Sequence, residues 1–95
     1  LEHNPGNYIA SRAVTDKNNV VWAQFLNRTS VPVRDIEISY AWLDDQGQTR
    51  QGKKTYRGPL KGEAQDQVSL GITLNSAAEL SRRVRVEITA ARIAN

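Results

Sequence analysis

The chain has 95 residues, which suffice for one domain with a single hydrophobic core. Because it contains no cysteine, a disulfide framework, a thiolate nucleophile and a cysteine-rich zinc site are excluded. The net charge of +3 at pH 7 comes from arginine more than from any basic tract, so it permits an acidic partner without requiring one.

Residues 1–7 are predicted to be an irregular lead-in or linker, since Pro5 and Gly6 disfavour a regular element. Residues 8–95 are predicted to form one β-sandwich domain. The chain contains no methionine, so we expect a segment excised from a longer protein rather than a processed mature form. No apolar run approaches the roughly 20 residues of a membrane span, and no span is expected within this segment.

Two runs in the amino-terminal part predict a pair of strands. Residues 8–14 form a weakly patterned strand that ends at a polar turn over residues 16–19. Residues 20–26 are denser in β-formers, and their alternation directs Val21, Ala23 and Phe25 to the core. Trp22 and Leu26 then project from the opposite face.

The third predicted strand has the cleanest alternation in the chain. Its core-facing residues are Ile36, Ile38, Tyr40 and Trp42. A register slip of one residue would bury Asp35 and Glu37 without partners, which no register change could offset. The sequence Asp-Asp-Gln-Gly at residues 44–47 then predicts a hairpin turn with a positive φ angle at Gly47.

The carboxyl-terminal half predicts three further strands. Residues 48–56 are polar and basic, which places this strand at a sheet edge, and residues 68–74 alternate as a half-buried strand. Ser76 and Glu79 match a capping box, so residues 77–82 are expected to form a helical turn. The closing strand directs inward Val84, Val86, Ile88 and Ala90. Together these elements predict an all-β fold, a small antiparallel Ig-like β-sandwich of six to seven strands with one short helical turn.

No residue set supports catalysis, a metal site or a cofactor site, so the chain is predicted not to be an enzyme. His3 is the only histidine and lies in the lead-in, which disfavours a Ser-His-acid triad or a His-based metal site. Asp44 and Asp45 are paired carboxylates, but in a hairpin turn we expect them to be solvated and to accept bonds from the backbone. Asn27 begins an Asn-x-Thr glycosylation pattern, and we interpret it instead as a turn residue.

One basic concentration is a candidate contact for an anion or a glycan. It comprises Arg50, Lys53, Lys54, Tyr56, Arg57 and Lys61, with no acidic residue between the first and the last. Basic side chains interleaved with an aromatic can bind anionic groups, whereas edge strands also carry Lys and Arg simply to prevent pairing. Nucleic acid is not the expected partner, because a single aromatic makes a thin stacking platform.

A second candidate surface would bind another protein. It comprises Trp22, Leu26 and Leu43, provided that Leu43 joins the other two from a neighbouring strand. An exposed aromatic with aliphatic neighbours is typical of docking surfaces. The alternative is that the amino-terminal segment or an end of the sandwich covers Trp22.

Several short motifs between residues 20 and 74 resemble those of known bacterial domains. They are Val-Trp-Ala-Gln-Phe-Leu-Asn at 21–27, Pro-Val at 32–33, Ile-Glu-Ile at 36–38, Trp-Leu-Asp-Asp-Gln-Gly at 42–47 and Leu-Lys-Gly-Glu at 60–63. This series resembles the FxLYD-type bacterial domains and the YcfL-like periplasmic lipoproteins. The chain departs from them at Leu43, where Tyr is typical, and at Lys61, where Pro is common.

The resemblance implies an Ig-like, non-enzymatic module of a larger bacterial cell-envelope protein, either periplasmic or a lipoprotein. It implies no catalytic residues, and its expected partners are another envelope protein or other domains of the parent chain. The first hypothesis is therefore a protein-interaction domain, which docks through the apolar surface or pairs its edge strand with a partner strand. The alternative is a module that binds anions or glycans through the basic concentration.

Overall fold

The computed structural model describes residues 5–94 and shows an antiparallel β-sandwich of two three-stranded sheets. The strands are β1 (Ile9–Thr15), β2 (Val20–Asn27), β3 (Val33–Leu43), β4 (Thr49–Tyr56), β5 (Gln65–Thr73) and β6 (Val84–Ile93). One sheet has the order β1-β2-β5 and the other the order β4-β3-β6. The predicted all-β sandwich is confirmed.

A short helical segment connects β5 to β6, as predicted. A 3₁₀ turn over Ala77–Glu79 leads into the helix α1 (Leu80–Arg83). The Ser76 hydroxyl accepts a backbone N–H of the turn at 3.1 Å, while Glu79 accepts the N–H of Asn75 at 3.1 Å. Both predicted capping residues therefore satisfy free backbone donors at the helix start.

The lead-in differs from the prediction at its last three residues. Pro5–Asn7 form one 3₁₀ turn, Pro5 is buried, and the turn packs against β1 and β6. The N–H of Tyr8 donates to the carbonyl of Pro5 at 3.1 Å. These residues thus belong to the domain, because proline at the start of a turn has no N–H to leave unsatisfied. Residues 1–4, with His3, lie outside the described residues.

The core is built from the predicted inward faces of β2 and β3. Phe25 is 1% exposed, and Ile36 and Ile38 are 0% exposed. Tyr40 and Trp42 pack against this core but are only partly buried. The reason is length, since β3 has 11 residues and no strand of the facing sheet has more than 9.

One inward position in β6 was predicted wrongly. Ala90 is exposed and Ala91 is buried instead. The register between β3 and β6 shifts at two places, because Thr89 is an extra residue in β6 and Asp35, with a φ angle of 50°, is an extra residue in β3. A β-bulge reverses the faces of all residues beyond it, so uninterrupted alternation fails there.

Asn27, at the end of β2, is the single buried polar residue within residues 5–94. Its Nδ2 donates to the carbonyls of Val31 at 2.7 Å, of Leu60 at 3.2 Å and of Lys61 at 3.2 Å. Its Oδ1 accepts from the N–H of Thr29 at 3.0 Å and from the hydroxyl of Thr29 at 2.7 Å. Asn27 therefore has the structural turn role that we predicted, and a glycan on Nδ2 would displace these bonds.

We expect Asn27→Ala to destabilise the domain by about 3 kcal/mol, because it removes these bonds and leaves buried carbonyls without a donor. Asn27→Asp should be at least as destabilising at pH 7, since a carboxylate would face three carbonyl oxygens. Urea unfolding followed by tryptophan fluorescence measures both variants, with Arg28→Ala at the exposed neighbouring position as control. Equal stability of Asn27→Ala and Arg28→Ala would contradict this role.

Candidate interaction surfaces

The expected docking surface of Trp22, Leu26 and Leu43 needs correction. Trp22 and Leu26 lie on β2, whereas Leu43 ends β3, and these strands belong to different sheets. Leu43 is 37% exposed on the outer face of its own sheet, and alternation puts the other two on the outer face of the opposite sheet. The three side chains therefore point away from the sandwich on opposite sides and form no common surface.

A polar row also separates Trp22 from Leu26 on the outer face of the β1-β2-β5 sheet. The Nε of Arg12 donates to Oε1 of Gln24 at 2.7 Å, and Nε2 of Gln24 contacts Oε1 of Gln67 at 3.3 Å. This row crosses all three strands between the two apolar side chains. Trp22 and Leu26 are themselves only partly exposed, so this face presents no continuous apolar patch.

The aspartate that opens the first hairpin holds Trp22 in place. Oδ1 of Asp16 accepts the N–H groups of Asn18 at 2.8 Å and of Val20 at 3.1 Å. Its Oδ2 accepts the indole N–H of Trp22 at 3.0 Å. These bonds, that of Trp22 first, hold the pKa of Asp16 below its ordinary value of 3.8.

Asp44 organises the second hairpin in the same way. Its Oδ1 accepts the N–H groups of Gln46 and Gln48, both at 2.9 Å, and its Oδ2 accepts Nε of Arg50 at 3.0 Å. The backbone bond from Gln48 and then the bond from Arg50 lower the pKa of this carboxyl. Gly47 has the predicted positive φ angle, 76°. Both aspartates are thus turn residues, and a lowered pKa suits a fixed acceptor rather than a general acid at neutral pH.

Asp45 lies beside Asp44 but makes a different contact. Its side chain is 86% exposed and accepts a long bond of 3.4 Å from Arg83. The two carboxylates therefore do not share a site in which burial could raise one pKa. Within residues 5–94, no three His, Cys, Asp or Glu side chains come together as a candidate metal-binding group.

The stability of the domain should fall as acid protonates the two hairpin aspartates. A lowered pKa in the folded state stabilises the fold above the ordinary value of 3.8, and this contribution is lost as pH falls through the lowered pKa. The urea midpoint of Asp16→Asn and of Asp44→Asn should therefore lie below that of the original protein at pH 7 and approach it near pH 2. Glu87→Gln, at an exposed position, is the control, and the same pH dependence in all three variants would refute the assignment.

The basic concentration is divided between two faces of β4. Lys53 lies on the outer face, where its Nζ is 3.7 Å from Oε1 of Glu37. Alternation puts Lys54 and Arg50 on the inner face, towards the space between the sheets. Arg57 and Lys61 follow in the connection to β5, both exposed. The six predicted residues therefore do not form one anion-binding platform.

Tyr56 is unavailable as the stacking aromatic of that platform. Its ring packs edge-to-face on Phe25 with centroids 4.8 Å apart, and its hydroxyl donates to Oδ2 of Asp66 at 2.7 Å. The bond to Asp66 is the main cause that raises the pKa of Tyr56. Tyr56 thus closes the core between β4 and β5, because its position on the inner face of β4 directs the ring there.

The free edge of β4 is the most accessible backbone feature of the sandwich. β4 lies at the edge of its sheet, as predicted, and pairs with β3 over eight consecutive positions without a register shift. The bond from Asp44 N–H to the carbonyl of Gln48, 2.9 Å, sets the phase of this ladder. Because hydrogen-bonded pairs alternate, Gln51, Lys53 and Thr55 direct their N–H and C=O groups away from β3.

Gly52, in the middle of β4, was not singled out by the sequence, although a lone glycine inside a strand pattern often marks a close approach. It lies opposite Tyr40, and a Cβ atom there would be 2.5 Å from Cζ and 2.6 Å from the hydroxyl oxygen of that ring. Trp42 stacks on Tyr40 with centroids 5.5 Å apart. The Tyr40 ring therefore extends across β4, in the space that a side chain at position 52 would occupy.

We expect Gly52→Ala to destabilise the domain by about 1–3 kcal/mol, because the methyl group overlaps the Tyr40 ring. In Tyr40→Leu the clashing atoms are absent, so adding Gly52→Ala to that background should cost much less. A double-mutant cycle measured by urea unfolding gives the coupling between the two positions. Strictly additive effects would contradict the contact.

Comparisons of this chain with protein-family models, with curated proteins and with solved structures find no match. The resemblance to FxLYD-type domains and YcfL-like lipoproteins therefore stays a prediction. Within residues 5–94, no helix has the length and apolar character needed to cross a bilayer.

Proposed function

We propose that this chain is a non-catalytic protein-interaction domain that binds an extended segment of a partner along the free edge of β4. Such a segment adds a strand to the sheet, and its affinity comes from backbone hydrogen bonds. The observation that carries the proposal is the regular, exposed row of unpaired N–H and C=O groups on β4. Partner pairing through this strand is the contact mode that the structure supports best.

β4 is better suited to strand addition than the other edges. β1 and β6 lie close to each other and close one side of the sandwich. β5 has a register shift against β2 and a φ angle of 72° at Gly71, and such bulges oppose pairing. β4 alone among the described edge strands has a ladder without a shift.

The charge of β4 indicates an acidic partner. The strand and the residue after it carry four cations and no carboxylate: Arg50, Lys53, Lys54 and Arg57. Lysine on an edge repels another basic strand but attracts an acidic one. The alternative of an anion- or glycan-binding platform is less well supported, because the cations are divided between two faces and Tyr56 is packed on Phe25.

The resemblance to bacterial envelope domains supports a place in a larger periplasmic protein or lipoprotein. In that setting the partner is another envelope protein or another domain of the parent chain. Fractionation of cells that express the native protein tests the compartment, and recovery in the cytosol would overturn this part of the proposal.

Lys53→Pro should weaken binding of an acidic extended peptide about tenfold or more, because it removes an N–H that points to the free edge while the bonds to β3 remain. Lys53→Ala is the matched control, since it loses the same charge and the same contact with Glu37 but keeps the N–H. Calorimetry with an eight-residue Glu/Thr/Val peptide measures both, and amide shifts locate the site. Equal affinities for the two variants, or no shifts along β4, would overturn the proposal.

A further inference from the structure

We infer that the partner strand carries acidic side chains four residues apart, on the side that faces the space between the two sheets, with a short hydroxyl side chain midway between them. This inference rests on the proposed function and specifies the sequence that β4 selects. It follows from the row of side chains on the inner face of β4, which is defined by Arg50, Gly52 and Lys54.

The spacing of the two cations sets the spacing of the two acids. Arg50 and Lys54 are four residues apart on one face, which is about 13 Å along a strand. A partner strand has the same rise per residue, so its residues i and i+4 lie beside Lys54 and Arg50 when it pairs antiparallel or parallel. Opposite charges at neighbouring positions on one face stabilise strand pairing.

Both cations retain capacity for a new carboxylate. Lys54 has no hydrogen bond or ion pair within residues 5–94. Arg50 uses Nε for Asp44, at 3.0 Å, but a guanidinium has five N–H donors. The side chain of Arg50 is 57% exposed, so its remaining donors are accessible.

The midpoint of the row is occupied by Tyr40 rather than by a side chain of β4. The Tyr40 ring crosses Gly52, and its hydroxyl has no hydrogen-bond partner within residues 5–94. A strand added to the edge would exclude water from this hydroxyl, which then needs a polar partner. Threonine at position i+2 supplies that partner and is also a good strand former.

The outer face of β4 selects less strongly. Lys53 already lies 3.7 Å from Glu37, and its neighbours on that face, Gln51 and Thr55, are neutral. An acid of the partner on the outer side therefore gains less than one on the inner side. The phase of the acids along the partner strand, and not only their number, should decide affinity.

A second copy of this chain is not the occupant that the charges favour. Two β4 strands paired with each other would bring together Arg50, Lys53 and Lys54 of both copies, without any acidic residue on either strand. Like charges at neighbouring positions destabilise strand pairing. The occupant is therefore an acidic segment from elsewhere.

Two isomeric heptapeptides of Glu, Thr and Val test the inference. In the first, glutamates occupy the second and sixth positions with threonine at the fourth, and in the second the glutamates occupy the second and fifth positions. Titration calorimetry in about 50 mM salt should show the first peptide binding about fivefold more tightly. Lys54→Ala should abolish this preference, whereas Lys53→Ala should keep it.

The outcomes separate the inference from the proposed function. If both peptides shift the β4 amides and bind equally, the spacing rule is overturned while strand addition stands. If neither peptide shifts the β4 amides, both proposals are overturned. Self-association of the free protein through β4, detected by sedimentation together with the same amide shifts, would overturn the choice of an acidic partner.

Discussion

The buried amide of Asn27 is the interaction on which the arrangement of the two sheets depends. A polar group in an apolar core is stabilising only when its hydrogen bonds are made, and this amide bonds to carbonyls of Val31, Leu60 and Lys61. Those carbonyls belong to the two segments that carry the chain from β2 to β3 and from β4 to β5. One side chain therefore positions both crossings, and through them the sheet that contains β4.

The opposite end of the sandwich is held by repeated local devices. Asp16 and Asp44 each accept backbone N–H groups two and four residues ahead and a side-chain N–H six residues ahead. Arg83 then ties α1 to the second hairpin, since its guanidinium donates to the carbonyl of Leu43 at 2.6 Å and to Glu79 at 3.2 Å. With both ends fixed, β4 is a rigid edge, and a rigid edge loses little conformational freedom when a partner strand is added.

Charge and backbone together give the β4 edge its selectivity. Unpaired N–H and C=O groups would accept almost any extended chain, which is why natural edge strands carry lysine. Here the cations discourage a second copy and favour an acidic strand. The ring of Tyr40 over Gly52 adds a position at which shape and hydrogen bonding count. The division of Lys53 and Lys54 between faces, which weakens a polymer-binding platform, is what gives an added strand two distinguishable sides.

The sequence by itself determined the strands, the two turns and most inward faces, because strand alternation and turn preference act between residues close in the chain. It predicted β4 as an edge and Asn27 as a turn residue for the same local reasons. Only the tertiary structure decided that β2 and β3 belong to different sheets, which separates Leu43 from Trp22. It alone showed the bulge at Thr89 and the Tyr40 ring across Gly52. Sheet membership, register shifts and cross-strand contacts depend on packing between distant segments, and no local pattern specifies that packing.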